Sequence, residues 1–203
     1  MAYSGLSIYE FKDMSYLKER IKHAVRFRHK RGFGVHSPFM FNLILNVIRD
    51  KEKQFTYPEA LEKANILNHR EKKVFRLLSR LIRYLQAEQV VCIGKNADLL
   101  TSYLSIVYPE AHIQSNYPEA LQEADFVYLG RKASEILEDH IDFIETGGKY
   151  PKYIVIADIY KDTYNVRMWR QLKDKATVSI DMMWYGLLFF DATIQKGKYN
   201  LII

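Results

Sequence analysis

The chain has 203 residues, 48% of them hydrophobic and 27% charged, with a formal net charge of +6. That length allows one domain with an extension or two small ones, with enough apolar content to bury a core. The single cysteine, Cys92, excludes a disulfide framework and a thiolate metal cluster within the chain.

The positive balance permits an anionic partner and serves general solubility equally well. Residues 1–17 have little periodicity and read as an arm or a short helix. They lack a basic segment followed by an apolar one, so no secretory signal is expected. The longest apolar run, Met182 to Phe190, falls short of the roughly 18–20 residues of a membrane helix. A cytoplasmic protein with no membrane span is the expectation.

Lys18 to Arg31 is basic with interleaved apolar positions, and Ile21, Val25 and Arg28 recur at helical spacing. One reading is a phosphate-contacting arm that binds nucleic acid through Lys18, Arg20, Lys22, Arg26, Arg28, Lys30 and Arg31. The other is a solvated basic helix with one packed face. A glycine-containing turn, Gly32 to His36, then leads to Ser37 and Pro38. These suit the N-cap and first position of an apolar helix. His36 reads either as a ligand or base, or as a hydrogen-bonded structural group.

A helix is expected from about Tyr57 to Leu67. Another runs from Glu71 to Leu85, with Val74, Leu77, Leu78, Leu81, Ile82 and Leu85 on one stripe. It leads into Val90-Val91-Cys92-Ile93-Gly94, where four apolar residues end at a glycine before a new helical pattern. That is strand, tight turn, helix: the opening unit of a nucleotide-type α/β fold, with a ligand expected over the strand's carboxyl end.

Further strands are expected at Ala111–Gln114, Asp125–Gly130 and Tyr153–Asp158. Helices are expected over 133–144 and 163–172. The alternation predicts α/β architecture with a mainly parallel sheet. Thr177–Ile180 with Gly186–Phe190, and then Tyr199–Ile203, predict a terminal antiparallel edge. Residues 1–70 read as a helical extension and 71–203 as the α/β domain. Met182-Met183-Trp184-Tyr185 reads either as a ligand or partner contact or as hairpin core.

No P-loop, nucleophile elbow or paired-histidine metal motif appears in the sequence, so no metal is expected.

Gly34-Val35-His36-Ser37-Pro38-Phe39 after a basic helix, and Ile180-Asp181 followed by Gly186-Leu187-Leu188-Phe189-Phe190, carry a resemblance. With Phe75 to Gly94, Asp125 to Leu129, and Asp158-Ile159 with Trp169, they resemble small bacterial class I S-adenosylmethionine-dependent methyltransferases over roughly residues 20–203. The resemblance implies a Rossmann-like fold and S-adenosylmethionine as cofactor, with Gly94, Asn96, Gln114 and Gly130 around it. It also implies that Asp158 orients or deprotonates the methyl acceptor, positioning carrying most of the rate.

The departures fall on that site. Cys92 takes an acidic position, and Asn96 and Asp98 take glycine positions, although Asn96 tolerates a left-handed backbone. Gln114-Ser115-Asn116 offers only neutral groups to a ribose, and Gly130 replaces an acid. Tyr117 to Ala124 is one strand–helix unit too short. The implied function is methyltransferase-like with weakened or lost cofactor binding. The alternative is a non-catalytic scaffold with a protein partner, a second copy or nucleic acid. Asp158 also reads as a helix N-cap or a surface charge.

Overall fold

The structure, a computed structural model, describes residues 16–22, 37–49, 55–63, 67–137 and 150–201. Its helices are α1 (16–22), α2 (Pro38–Asn42), α3 (Glu59–Lys63), α4 (His69–Tyr84), α5 (Ala97–Val107), α6 (Ser134–Leu137) and α7 (Thr163–Leu172). The strands are β1 (Gln89–Ile93), β2 (His112–Ser115), β3 (Phe126–Leu129), β4 (Tyr153–Ala157), β5 (Val178–Asp181), β6 (Tyr185–Phe189) and β7 (Gly197–Asn200). They form one seven-stranded sheet in the order β2-β1-β3-β4-β6-β5-β7.

The apolar strands follow from burial on both faces. Val90, Cys92, Phe126, Tyr128, Val155 and Ala157 belong to the cluster that contains the inner faces of α4 and α5. Val91, Ile93, Val127, Leu129, Ile154 and Ile156 pack on the opposite side with residues of α6 and α7. With a side-chain period of two and helices on both sides, neither set can be polar.

The chain starts at β1, steps outward to β2, then crosses back to β3 on the other side of β1, with all three strands parallel. The sheet therefore has its switch point between β1 and β3, where the turns diverge and a crevice can form. The connection from β2 to β3, residues 116–125, holds the short 3₁₀ turn Pro118–Gln122 and no longer helix. Among the described residues, β2 pairs only with β1.

One expectation about the sheet is corrected. The reversed strand is not at the edge: β6 runs antiparallel to both β4 and β5, and the C-terminal strand β7 runs parallel to β5. Only three residues, Met182 to Trp184, join β5 to β6, which forces an antiparallel pair. The longer connection before β7 lets the chain cross β5 and emerge in the parallel direction. Gly186 makes this packing possible: a Cβ there would lie 2.4 Å from the ring of Trp169 on α7.

Ser37 caps α2 as expected, its hydroxyl accepting from the Met40 N–H at 3.4 Å, with Pro38 at the first helical position. The helix then widens to a π-helical turn over Leu43–Ile48, where the Arg49 N–H reaches the Ile44 carbonyl at 3.1 Å. Arg80 of α4, 8% exposed, secures this end. Its Nε donates to the Val47 carbonyl at 2.6 Å and its Nη1 to the Tyr57 hydroxyl at 2.8 Å. Arg80→Met is expected to lower stability by about 2 kcal/mol, because two acceptors lose a charged donor. A shifted urea midpoint with an unchanged slope would bear this out.

In the basic stretch, Lys18, Arg20 and Lys22 lie on α1, where Lys22 pairs with Glu19 at 2.8 Å. Ile21 is 58% exposed rather than packed. Arg26, Arg28, Lys30 and Arg31, with His36, lie outside the described residues. Among the described residues, no helix is long and apolar enough to cross a membrane, and no cluster of metal-ligating side chains occurs.

Candidate functional site

The crevice at the switch point is framed by turns that bond to one another. The Gly130 N–H donates to the Ile93 carbonyl at 2.7 Å, and the Lys95 N–H donates to the Arg131 carbonyl at 2.8 Å. The Gly94 N–H donates to Asn116 Oδ1 at 2.8 Å. These bonds tie the turns after β1, β2 and β3 into one layer. Gly94 has φ +116°, and a Cβ there would meet the Arg131 carbonyl at 2.6 Å. Asn96 takes the left-handed conformation at φ +67° at the N-cap position of α5, without a side-chain bond to the helix, so the tight turn survives without its later glycines. Asp98 accepts from the Ser115 hydroxyl.

The start of α4 borders the crevice on the side facing Asn96. Asn68 and Glu71 form a reciprocal cap: Asn68 Oδ1 accepts from the Glu71 N–H at 3.0 Å, and Glu71 Oε2 accepts from the Asn68 N–H at 3.0 Å. The remaining oxygen of Glu71 accepts from Asn96 Nδ2 at 2.9 Å. One carboxylate thus joins the cap of α4 to the turn after β1.

Asp158 directly follows β4 and is 7% exposed. Its backbone is left-handed at φ +49°. The Asp158 N–H donates to the Trp184 carbonyl at 2.7 Å, and its own carbonyl accepts from the Lys161 N–H at 2.8 Å. Arg70 Nη2 lies 2.8 Å from one carboxylate oxygen, and Arg131 Nε lies 3.2 Å from the other. The Arg70 guanidinium also stacks over the Trp184 ring at 4.3 Å. Asp158 is therefore neither a helix cap nor a surface charge. The cap of α7 is Asp162, whose Oδ1 accepts from the Asn165 N–H at 3.0 Å.

These groups line a cavity of about 160 Å³ that contains Arg70, Glu71, Lys95, Asn96, Tyr128, Arg131, Asp158 and Tyr185, with Val74, Phe75 and Ala157 as apolar wall. Burial raises the Tyr185 hydroxyl to a pKa of about 12, and burial also raises Tyr128 well above the ordinary tyrosine value. Both stay protonated hydrogen-bond donors at neutral pH.

Asn96, expected around a cofactor, and Asp158, expected to act on the methyl acceptor, line this cavity, and Gly94 and Gly130 build its frame. Gln114 does not line it; its side-chain amide faces the His112 ring at 2.9 Å. Arg70, Arg131, Lys95, Tyr128 and Tyr185 are the additions. Arg131 could have been flagged because it directly follows the glycine of the third turn. Arg70 carries no local signal, since its partner is 88 residues away in sequence. Trp184 contacts α1 through its Nε1, which donates to the Tyr16 hydroxyl at 2.7 Å. The aromatic cluster before β6 is thus partly a surface contact, with Met182 and Met183 buried beneath it.

No protein-family model matches this chain, and neither the curated proteins nor the solved structures give a significant match. The fold and site define an α/β protein with a mixed seven-stranded sheet and a polar cavity at its switch point.

Proposed function

We propose that this chain is a methyltransferase-like α/β protein that has lost S-adenosylmethionine binding and works as a non-catalytic binding protein. The observation that carries the reading is the double engagement of Asp158. One of its oxygens faces the Arg70 guanidinium and the other faces Arg131, so neither is free to orient an acceptor substrate.

The residues at the cavity do not fit an adenosyl sulfonium. Sites for ligands of that size occupy roughly 300–1,000 Å³, against about 160 Å³ here. Three cationic side chains, Arg70, Lys95 and Arg131, against two carboxylates, Glu71 and Asp158, line the space, and that positive excess disfavours a sulfonium cation. The side-chain oxygen of Asn116, in the Gln114-Ser115-Asn116 stretch expected to meet the ribose, already accepts from the Gly94 N–H. The sheet order supports kinship of architecture: a switch point at β1 and a reversed strand between β4 and β5 agree with the resemblance in sequence.

Isothermal titration of the full chain with S-adenosylmethionine and S-adenosylhomocysteine tests the reading. The expected result is no heat and no thermal shift at millimolar ligand. Saturable binding of either compound would overturn it.

A further inference from the structure

The same cavity supports a more specific reading, which rests on the loss of the adenosyl cofactor proposed above. Every carboxylate oxygen that lines the space is already used. Glu71 accepts from the Asn68 N–H and from Asn96 Nδ2. Asp158 is held through both oxygens by Arg70 and Arg131. The donors are in the opposite condition. Arg70 Nε is buried without an acceptor. Tyr128 is 8% exposed, and its hydroxyl has no hydrogen-bond partner among the described residues. Lys95 has no acidic partner among the described residues.

Three cationic side chains and two carboxylates line the cavity, which leaves one positive charge in excess. Of these, the Tyr128 hydroxyl is the buried donor a ligand in the cavity can satisfy, recovering the cost of burying it; Arg70 Nε is closed off from the space, and exposed Lys95 contributes charge rather than an unmet bond. Charge-assisted bonds are the stronger kind, so an anion is preferred to a neutral acceptor. Val74, Phe75 and Ala157 supply an apolar wall on one side.

We propose that this cavity is a binding site for a small organic anion. Its carboxylate or phosphate group lies among Arg70, Lys95 and Tyr128, and its short apolar body lies against Val74 and Phe75. Asp158 does not oppose this, since its charge is spent on two guanidinium groups. Its role is to hold Arg70 and Arg131 at the rim, which makes it a positioning residue.

The test is thermal shift and calorimetric titration of the full chain with acetate, benzoate and inorganic phosphate at constant ionic strength. Benzamide serves as the uncharged analogue of benzoate. At least one anion is expected to bind saturably, and benzamide is expected not to bind. A response to acetate or benzoate alone assigns a carboxylate, and a response to phosphate alone assigns a phosphate group. Tyr128→Phe removes a hydroxyl with no partner among the described residues, so its own melting temperature should hold. It is expected to weaken binding about tenfold, as for one lost bond to a charged group. Lys95→Gln is expected to weaken it similarly.

Equal binding of benzamide and benzoate would overturn the proposal. So would full affinity in both variants, or no response to any anion at tens of millimolar. If the anions fail while S-adenosylhomocysteine also fails to bind, only this proposal falls. If S-adenosylhomocysteine binds and the anions do not, both readings fall together.

Discussion

Gly94→Ala is expected to lower the stability of this protein by about 2–6 kcal/mol. Two costs combine there. The backbone sits at φ +116°, a region that a residue with a Cβ occupies only at about 1–3 kcal/mol. The added methyl would lie 2.6 Å from the Arg131 carbonyl oxygen, and forcing an atom into a packed site costs about 1–3 kcal/mol more. Neither cost can be relieved locally. The Arg131 carbonyl is the acceptor of the Lys95 N–H at 2.8 Å, so moving it opens the bond between the turns after β1 and β3. Arg131 also carries half of the clamp on Asp158, and the cavity should loosen with the turn. Gly130→Ala is the matched control. Its Cβ would meet the Ile93 carbonyl and the Tyr128 ring at 3.1 Å, and its φ is not in the left-handed region, so a loss of about 1–2 kcal/mol is expected. Urea denaturation of both variants separates the cases. Equal midpoints would show that the turn after β1 yields freely.

The same glycine shows what the sequence carries and what it does not. A run of apolar residues ending at a glycine before a helical pattern specifies strand, tight turn and helix through short-range geometry alone. β1 and β3 were legible for that reason, β4 from its continuous apolar run ahead of Asp158, and Asn96 from its tolerance of a left-handed backbone. Strand neighbours and directions are different. The period-two pattern of β6 is the same whichever way it runs and whatever lies beside it. The reversal at β6 follows from the three-residue turn before it, and the parallel run of β7 follows from the longer crossing after β6. Neither is written in an apolar pattern.

The site divides along the same line. Asp158 stands at a strand end and is visible as a candidate carboxylate. What it does there depends on Arg70 at the start of α4 and Arg131 after β3, which reach it only through the tertiary fold. An arginine on a charged helix start reads as a solvated residue, and nothing in its neighbours marks it otherwise. A carboxylate that looks like a base in sequence is an anchored counter-ion in space. That difference separates a methyltransferase reading from a binding reading.

Glu62→Ala is expected to cost about 2–4 kcal/mol and to flatten the acid limb of the stability profile. Glu62 lies on α3 and is 7% exposed. Its Oε1 accepts from the Tyr103 hydroxyl at 2.6 Å and from Arg76 Nε at 2.9 Å. Tyr103 is fully buried on α5, so its hydroxyl would lose its acceptor with no water to replace it, at about 1–3 kcal/mol. The Arg76 side chain is 44% exposed and can turn to solvent, so its share is closer to the ~1 kcal/mol of an exposed pair. The bond to Arg76 is the chief cause that holds the Glu62 carboxyl below its ordinary value of 4.5, with Tyr103 adding to it against the opposing effect of burial. A carboxyl lowered in the folded state binds its proton less readily than in the unfolded chain. Its stabilisation is therefore complete above the unfolded value near 4.5 and disappears as pH falls through the lower folded value. Wild type should lose this contribution on acidification, whereas Glu62→Ala has none to lose. Tyr103→Phe removes the buried donor along with its need for an acceptor, and Glu62→Ala on that background should cost less than it does alone. Melting temperatures from neutral pH down to the acid limit, for the two single variants and the double, decide the matter. Parallel acid limbs in wild type and Glu62→Ala would mean that this carboxylate does not tie α3 to α4 and α5.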